Sequence, residues 1–193
     1  FDRAEGARGN RPAAGAGELR REPLPEALDW RFELDRPAHA AAVGAIRGHI
    51  AEGRTYQVNL TTRLQTPFAG DPAALWDRMR RAQGPGFHAY LDLGPFVIAS
   101  ASPELFFRVR GREIVTRPMK GTRPRGRWPE EDAGLRAQLS ASEKDRSENL
   151  MIVDLLRNDV GRVAATGTVR VPALLEIEAY RTVWQMTSTV TAT

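Results

Sequence analysis

Apolar residues recur along this chain with different periods, and each period predicts a different element. From Asp35, a residue type that caps helices, with Pro37 in the first turn, Ala-rich sequence predicts a helix to about Ala51, with Gly53 placed to stop it. Residues 55–64 alternate, with Tyr56, Val58 and Leu60 set against Gln57, Asn59 and Thr61, which predicts a strand. Asp71-Pro72 opens a second helix to about Ala82, in which Leu75 and Met79 are spaced to face a core. Residues 87–114 predict a set of short strands, broken at Gly94-Pro95, at Ser102-Pro103 and at Gly111. A loop-like run around Lys120 follows. Pro129-Glu-Glu-Asp132 then supplies proline and acids to start a helix, and Ser142-Glu-Lys-Asp145 has the form of a second N-terminus, leading into a long helix to about Asn158. Residues 167–178 and 180–191 predict two final strands. The fold class implied is mixed α/β (α+β), with mainly antiparallel strands, helices on one side and no repeat.

Residues 1–28 have no apolar period and are rich in Ala, Gly, Arg and Pro, so they read as a linker or a poorly ordered segment ahead of a domain over 29–193. Gly15-Ala-Gly17 lacks a preceding strand and is no dinucleotide fingerprint. The chain opens on Phe1 and stops at Thr193 inside a strand-like run, which suggests that both ends have been cut. Its 41% hydrophobic and 27% charged residues make an ordinary globular balance and exclude disorder throughout. No cysteine means no disulfide framework and no thiolate zinc site, in keeping with a cytoplasmic setting, and no apolar run reaches the length of a membrane span.

The net charge of +4 is local, because residues 108–127 hold eight basic residues against the single acid Glu113. So compact a stretch suits a small anionic substrate at least as well as a nucleic-acid backbone, which usually calls for a longer stripe with interleaved aromatics. Of 28 basic residues only Lys120 and Lys144 are lysines. A guanidinium stays protonated near neutral pH, whereas a lysine amine can act as a nucleophile when neighbouring cations or burial favour its uncharged form. Lys120, among Arg117, Arg123 and Arg125, is therefore the basic group here that can react, unless the run is simply a solvated basic loop.

Two carboxylates stand out. Glu104 follows the apolar run of residues 96–99 at a turn that can aim an acid into a cleft, where it could protonate a leaving group; the plain reading is a surface acid. Glu148 shares a helical face with Met151, Ile152 and Leu155, so it needs a partner: either a hard cation such as Mg²⁺ or Lys144 one turn earlier. His39, His49 and His88 lack ligand spacing, and there is no G-x-S-x-G, P-loop or H-E-x-x-H pattern.

Four ordered motifs carry a resemblance: Tyr56-Gln-Val-Asn-Leu60, Ala101-Ser-Pro-Glu-Leu-Phe106, Arg117-Pro-Met-Lys-Gly-Thr-Arg-Pro-Arg-Gly126, and the run from Ser142-Glu-Lys-Asp-Arg to Leu-Arg-Asn-Asp159. Together they resemble the chorismate-utilising enzyme family, over about residues 35–193. The resemblance implies the central portion of a two-sheet α/β sandwich. Within the family, a Lys in P-x-K-G-T is the mark of the aminodeoxychorismate synthases, component I, where anthranilate and isochorismate synthases typically carry Ala. It implies that Lys120 attacks C2 of chorismate as the C4 hydroxyl leaves, with Glu104 as general acid. Ammonia, supplied from glutamine by a separate or fused amidotransferase, then adds at C4 and expels the lysine. It also implies that Glu148 binds Mg²⁺ and that Ser102 and Thr122 line the substrate pocket. Gln185 stands where many relatives have His, and Gln can bond substrate but cannot titrate.

The family's later Gly-rich segment, substrate-binding Arg and further Mg²⁺-binding Glu residues would follow Thr193, so these 193 residues are expected to be inactive alone. Anthranilate synthase component I, or another chorismate enzyme, is the neighbouring alternative. A truncated, non-catalytic partner-binding module is the alternative of a different class.

Overall fold

The computed structural model describes residues 29–193, and the expected linker of residues 1–28 lies outside them. The chain falls into two units divided after Gly70.

In the first unit, α1 (Arg36–Ala51) starts where the sequence placed it, because the Asp35 carboxylate accepts the Ala38 N–H at 2.8 Å. Gly53, at φ 70°, turns the chain out of the helix. Two short strands, β1 (Arg31–Phe32) and β2 (Leu64–Gln65), pair antiparallel, Arg31 opposite Gln65. The strand expected over residues 55–64 therefore shrinks to its last residue. Alternation can prepare a strand, but only a neighbour can satisfy its N–H and C=O groups, and β1 is two residues long. Tyr56, 83% exposed, and its alternating companions Val58 and Leu60 stay on the surface.

The second unit opens with α2 (Pro72–Gln83), capped by the Asp71 carboxylate on the N–H groups of Ala73 and Ala74. It packs on a hairpin of β3 (Phe87–Asp92) and β4 (Val97–Ser102), whose turn places Gly94 at φ 84°. The anchor is Trp76, whose indole N–H donates to the Ser100 carbonyl at 3.1 Å and whose ring lies 5.7 Å from that of Tyr90. Because the largest side chain sets the rotation of the helix, Met79 is left exposed and Leu75 half-buried, against the expectation that both face a core.

The main sheet contains β5 (Leu105–Arg110), β6 (Glu113–Arg117), β7 (Met119–Pro124), β8 (Arg170–Ala179) and β9 (Val183–Ala192), all paired antiparallel. β9 is central, with β8 on one side and both β6 and β7 on the other. β6 and β7 thus lie end to end along β9, jointed at Pro118, whose carbonyl accepts the Ser188 N–H at 3.1 Å. The Lys120 run is accordingly a strand and not a loop. Arginines and prolines hide that in the sequence, but β9 offers a ladder, and Gly121 at φ 95° takes up the register shift between Met119 and Thr122.

Both remaining helices, α3 (Pro129–Ala141) and α4 (Glu143–Gly161), cover the same face of this sheet. A Cβ on Gly121 would come within 2.9 Å of Asp145 Cβ and 3.1 Å of Leu139 Cδ1, so the helices touch the β7 backbone itself. The core between them is Met119, Leu139, Val153, Val160, Met186, Val190 and Ala192, with aliphatic side chains that each contribute about 1.5–3 kcal/mol when fully buried. The face that α4 buries is Asp145, Asn149, Val153 and Val160, not the expected stripe of residues 148, 151, 152 and 155. Polar anchors decide this: Asp145 binds Arg123 and Asn149 binds β9, leaving Met151 and Leu155 exposed. The architecture is the expected mixed α/β arrangement of antiparallel strands with helices on one face. Among the described residues no helix is long and apolar enough to cross a membrane.

Candidate active site

The β6–β7 joint gathers most of the reactive residues that the sequence singled out. Glu104 follows β4 in a turn fixed by the Ser102 hydroxyl, which accepts the Glu104 N–H at 3.1 Å. Although the residue is exposed, its carboxylate accepts the N–H of Met119 at 3.1 Å, and Met119 is the residue before Lys120. Pro118, which has no N–H, precedes it, so the Met119 amide is the first backbone donor after the joint. One strand step further, Thr122 lies opposite Gln185, and its hydroxyl donates to the Gln185 side-chain oxygen at 2.8 Å. Ser102, Glu104, Lys120, Thr122 and Gln185 are thus tied to one stretch of β7 and β9.

Lys120 is half-buried, and its amine makes no hydrogen bond or ion pair with a described residue. The arginines around it do. Arg117 pairs with Glu178, Arg123 with Asp145 at 2.9 Å, and Arg125 with Asp132 at 2.6 Å. Each of these three guanidiniums therefore has its own carboxylate.

Asp132 has the densest set of partners. Arg125 holds its carboxyl well below the usual carboxylate range, helped by the Gly126 N–H and the Trp184 indole N–H, while partial burial works the other way. Arg125 also reaches the Tyr180 carbonyl and lies 4.4 Å from the centre of the Trp184 ring. A carboxyl depressed in the fold contributes stability that is complete above its unfolded value, about pH 4, and is lost as pH falls through the acid range. Wild type should accordingly exceed Asp132→Asn in Tm by a constant margin from pH 5 to 8, and that margin should shrink below about pH 4. A margin unchanged down to pH 2 would count against the assignment.

Glu148 is not drawn into contact with the other candidates. Its partner is Lys144, with Nζ 3.6 Å from a carboxylate oxygen, which is the alternative to a metal that the helix spacing left open. The next residue, Asn149, is bonded to the Met186 carbonyl at 3.3 Å, so Glu148 still sits one residue from an anchor beside Gln185. Among the described residues no group of three or more His, Cys, Asp and Glu side chains could hold a metal. Glu148 offers a single carboxylate, which suits a Mg²⁺ ion that keeps waters and takes substrate oxygens, and not an all-protein cage.

Sequence reasoning missed several members of this neighbourhood. Glu178 accepts from both Arg117 and the Thr187 hydroxyl. Burial pushes the Tyr180 phenol up, with Glu178 and Glu104 adding to the effect and Arg117 opposing it. An acid and a tyrosine close to a strand end carry no pattern that separates them from surface residues. A groove of about 330 Å³, lined by Leu150, Val153, Asp154, Arg157, Val171 and Leu174, holds none of the candidate residues and no free nucleophile. The cluster at the β6–β7 joint is the better candidate because it ties the Glu104 carboxylate to the amide that precedes Lys120, whose amine has no partner among the described residues.

Similarity to known proteins places the chain in a family. Residues 9–193 match the chorismate binding enzyme family. The chain belongs to that family. Its curated relatives include an aminodeoxychorismate synthase from Streptomyces pristinaespiralis, 44% identical over 165 residues that cover 85% of this chain and 23% of the relative. Anthranilate synthase component 1 from Thermus thermophilus is 46% identical over 162 residues, covering 83% of this chain and 35% of the relative. This member of the chorismate-binding family thus spans about a quarter to a third of the length of the curated relatives it matches. Among solved structures, anthranilate synthase component I from Streptococcus pneumoniae superposes with a TM-score of 0.76 at 29% identity, over 89% of this chain and 39% of that one. The fold expected from the four motifs is the family fold.

Proposed function

We propose that this chain carries the acid and nucleophile of an aminodeoxychorismate synthase, which converts chorismate and ammonia to 4-amino-4-deoxychorismate on the route to p-aminobenzoate and folate. The observation that carries the reading is the setting of Lys120: an amine without a partner among the described residues, next in sequence to the amide that holds the Glu104 carboxylate. Protonated Glu104 gives its proton to the departing C4 hydroxyl, which leaves as water, while the Lys120 amine forms a bond to C2. Ammonia then bonds to C4, the C2–N bond to Lys120 breaks, and the free amine is restored. Splitting one difficult substitution into two steps is what a covalent nucleophile contributes. Thr122 and Gln185, already bonded to each other, and Ser102 present hydroxyl and amide groups to the substrate. Glu148 would hold Mg²⁺ through one carboxylate, and the ion would help fix the substrate's carboxylates. The ammonia is supplied from glutamine by an amidotransferase, fused or separate.

Anthranilate synthesis is the second reading, because an anthranilate synthase relative is as similar as an aminodeoxychorismate synthase. Lys120 favours the first: anthranilate formation takes place on a scaffold that typically carries Ala there. The full-length protein, given chorismate, Mg²⁺ and ammonium, should yield 4-amino-4-deoxychorismate by liquid chromatography, whereas anthranilate as the main product would overturn the proposal.

A further inference from the structure

Glu178 lies on β8, the far side of the central strand from the β6–β7 joint, yet its one carboxylate oxygen, Oε1, accepts from Arg117 of β6 and from Thr187 of β9. Those two donors are placed so that each adjoins one reacting residue. Arg117 stands opposite Leu105 in the β5–β6 ladder, and Leu105 follows Glu104. Thr187, fully buried, stands opposite Met119 in the β7–β9 ladder, and Met119 precedes Lys120. The Ser188 N–H holds the Pro118 carbonyl between them. The joint itself cannot supply this rigidity: Pro118 gives no N–H, the Met119 N–H is committed to Glu104, and the register slips between Met119 and Thr122.

We propose that Glu178 is a positioning residue, which by binding Arg117 and Thr187 together sets the distance between the Glu104 acid and the Lys120 amine. The inference rests on the reaction proposed above. Glu178 touches neither reacting group, so its loss acts through geometry. A misplacement of about 1 Å between an acid and a nucleophile can cost roughly 10²-fold in rate without abolishing binding.

The test uses the full-length protein and three variants. Glu178→Ala should lower kcat roughly 10²-fold while KM for chorismate stays within about threefold, and should slow adduct formation at Lys120, followed by peptide mass spectrometry, by a similar factor. Glu178→Gln keeps an acceptor oxygen and should recover at least about half of that loss on a logarithmic scale. Thr187→Val keeps shape and the Arg117 pair but removes one donor, and should lower kcat several-fold with KM unchanged; it decides the matter if Glu178→Ala fails to fold. Equal losses in kcat and in chorismate binding, or a Thr187→Val enzyme with wild-type kcat, would overturn the inference. Lys120→Ala separates the two claims. Wild-type turnover in that variant removes the proposed reaction and this inference with it. An inactive Lys120→Ala enzyme beside wild-type behaviour of Glu178→Ala and Thr187→Val removes the inference alone.

Discussion

Lys120→Ala in the full-length protein is expected to lower kcat for 4-amino-4-deoxychorismate by at least about 10³-fold, with little change in chorismate binding. The expectation follows from what the amine contributes. Nothing among the described residues pairs with it, so removal leaves no orphaned carboxylate and no collapsed ion pair, and the fold should tolerate the change. What the proposed reaction loses is the bond to C2. Lys120→Arg sharpens the point, because arginine retains the positive charge and the length but cannot act as a nucleophile near neutral pH. If Lys120 served only to attract an anionic substrate, the arginine variant would retain most of the activity. As a nucleophile, it predicts two variants equally impaired, read by steady-state kinetics with circular dichroism to confirm folding.

The largest expected effect on stability comes from Asn149→Leu, at about 2–5 kcal/mol. Asn149 is fully buried; it donates to the Met186 carbonyl at 3.3 Å and accepts from the Ser188 hydroxyl at 2.6 Å. The Ser188 oxygen in turn accepts the N–H of Leu175 at 2.9 Å, and Leu175 is the only described residue other than glycine with a positive φ, at 56°. One amide thus links helix α4, central strand β9 and the strained step in β8 where the register shifts between Ala173 and Glu176. Leucine has similar volume but satisfies neither group, and each buried polar group left without this partner costs roughly 1–3 kcal/mol. Chemical denaturation should show a lower midpoint with an unchanged slope. A loss below about 0.5 kcal/mol would mean that water or a side-chain shift replaces both bonds.

Local structure is legible where the sequence itself contains both halves of an interaction. Asp35, Asp71 and Ser142 each cap the helix that follows, because donor and acceptor lie within three residues. The breaks between β3, β4, β5 and β6 fall at Gly94, Pro103 and Gly111, whose backbone preferences are their own. Failures came where the partner is distant. Residues 55–63 alternate like a strand but find no ladder, while the Lys120 run, rich in charge and proline, becomes β7 because β9 lies beside it. The buried face of α4 departs from its apolar period because its docking is set by Asp145 and Asn149, polar residues that such a period ignores. In the candidate site, Lys120 and Glu104 stand out in the sequence by residue type, whereas the bond that ties the Glu104 carboxylate to the amide preceding Lys120 does not. The Arg117–Glu178–Thr187 contact joins three strands and has no local signature at all.

The central claim is a covalent bond between Lys120 and chorismate. Full-length protein incubated with chorismate and Mg²⁺ without ammonia, then quenched, digested and examined by mass spectrometry, tests it directly. The peptide bearing Lys120 should gain the mass of chorismate less one water, and this adduct should decay to 4-amino-4-deoxychorismate when ammonia is added. An unmodified Lys120 peptide from enzyme that forms the product at full rate once ammonia is supplied would contradict it.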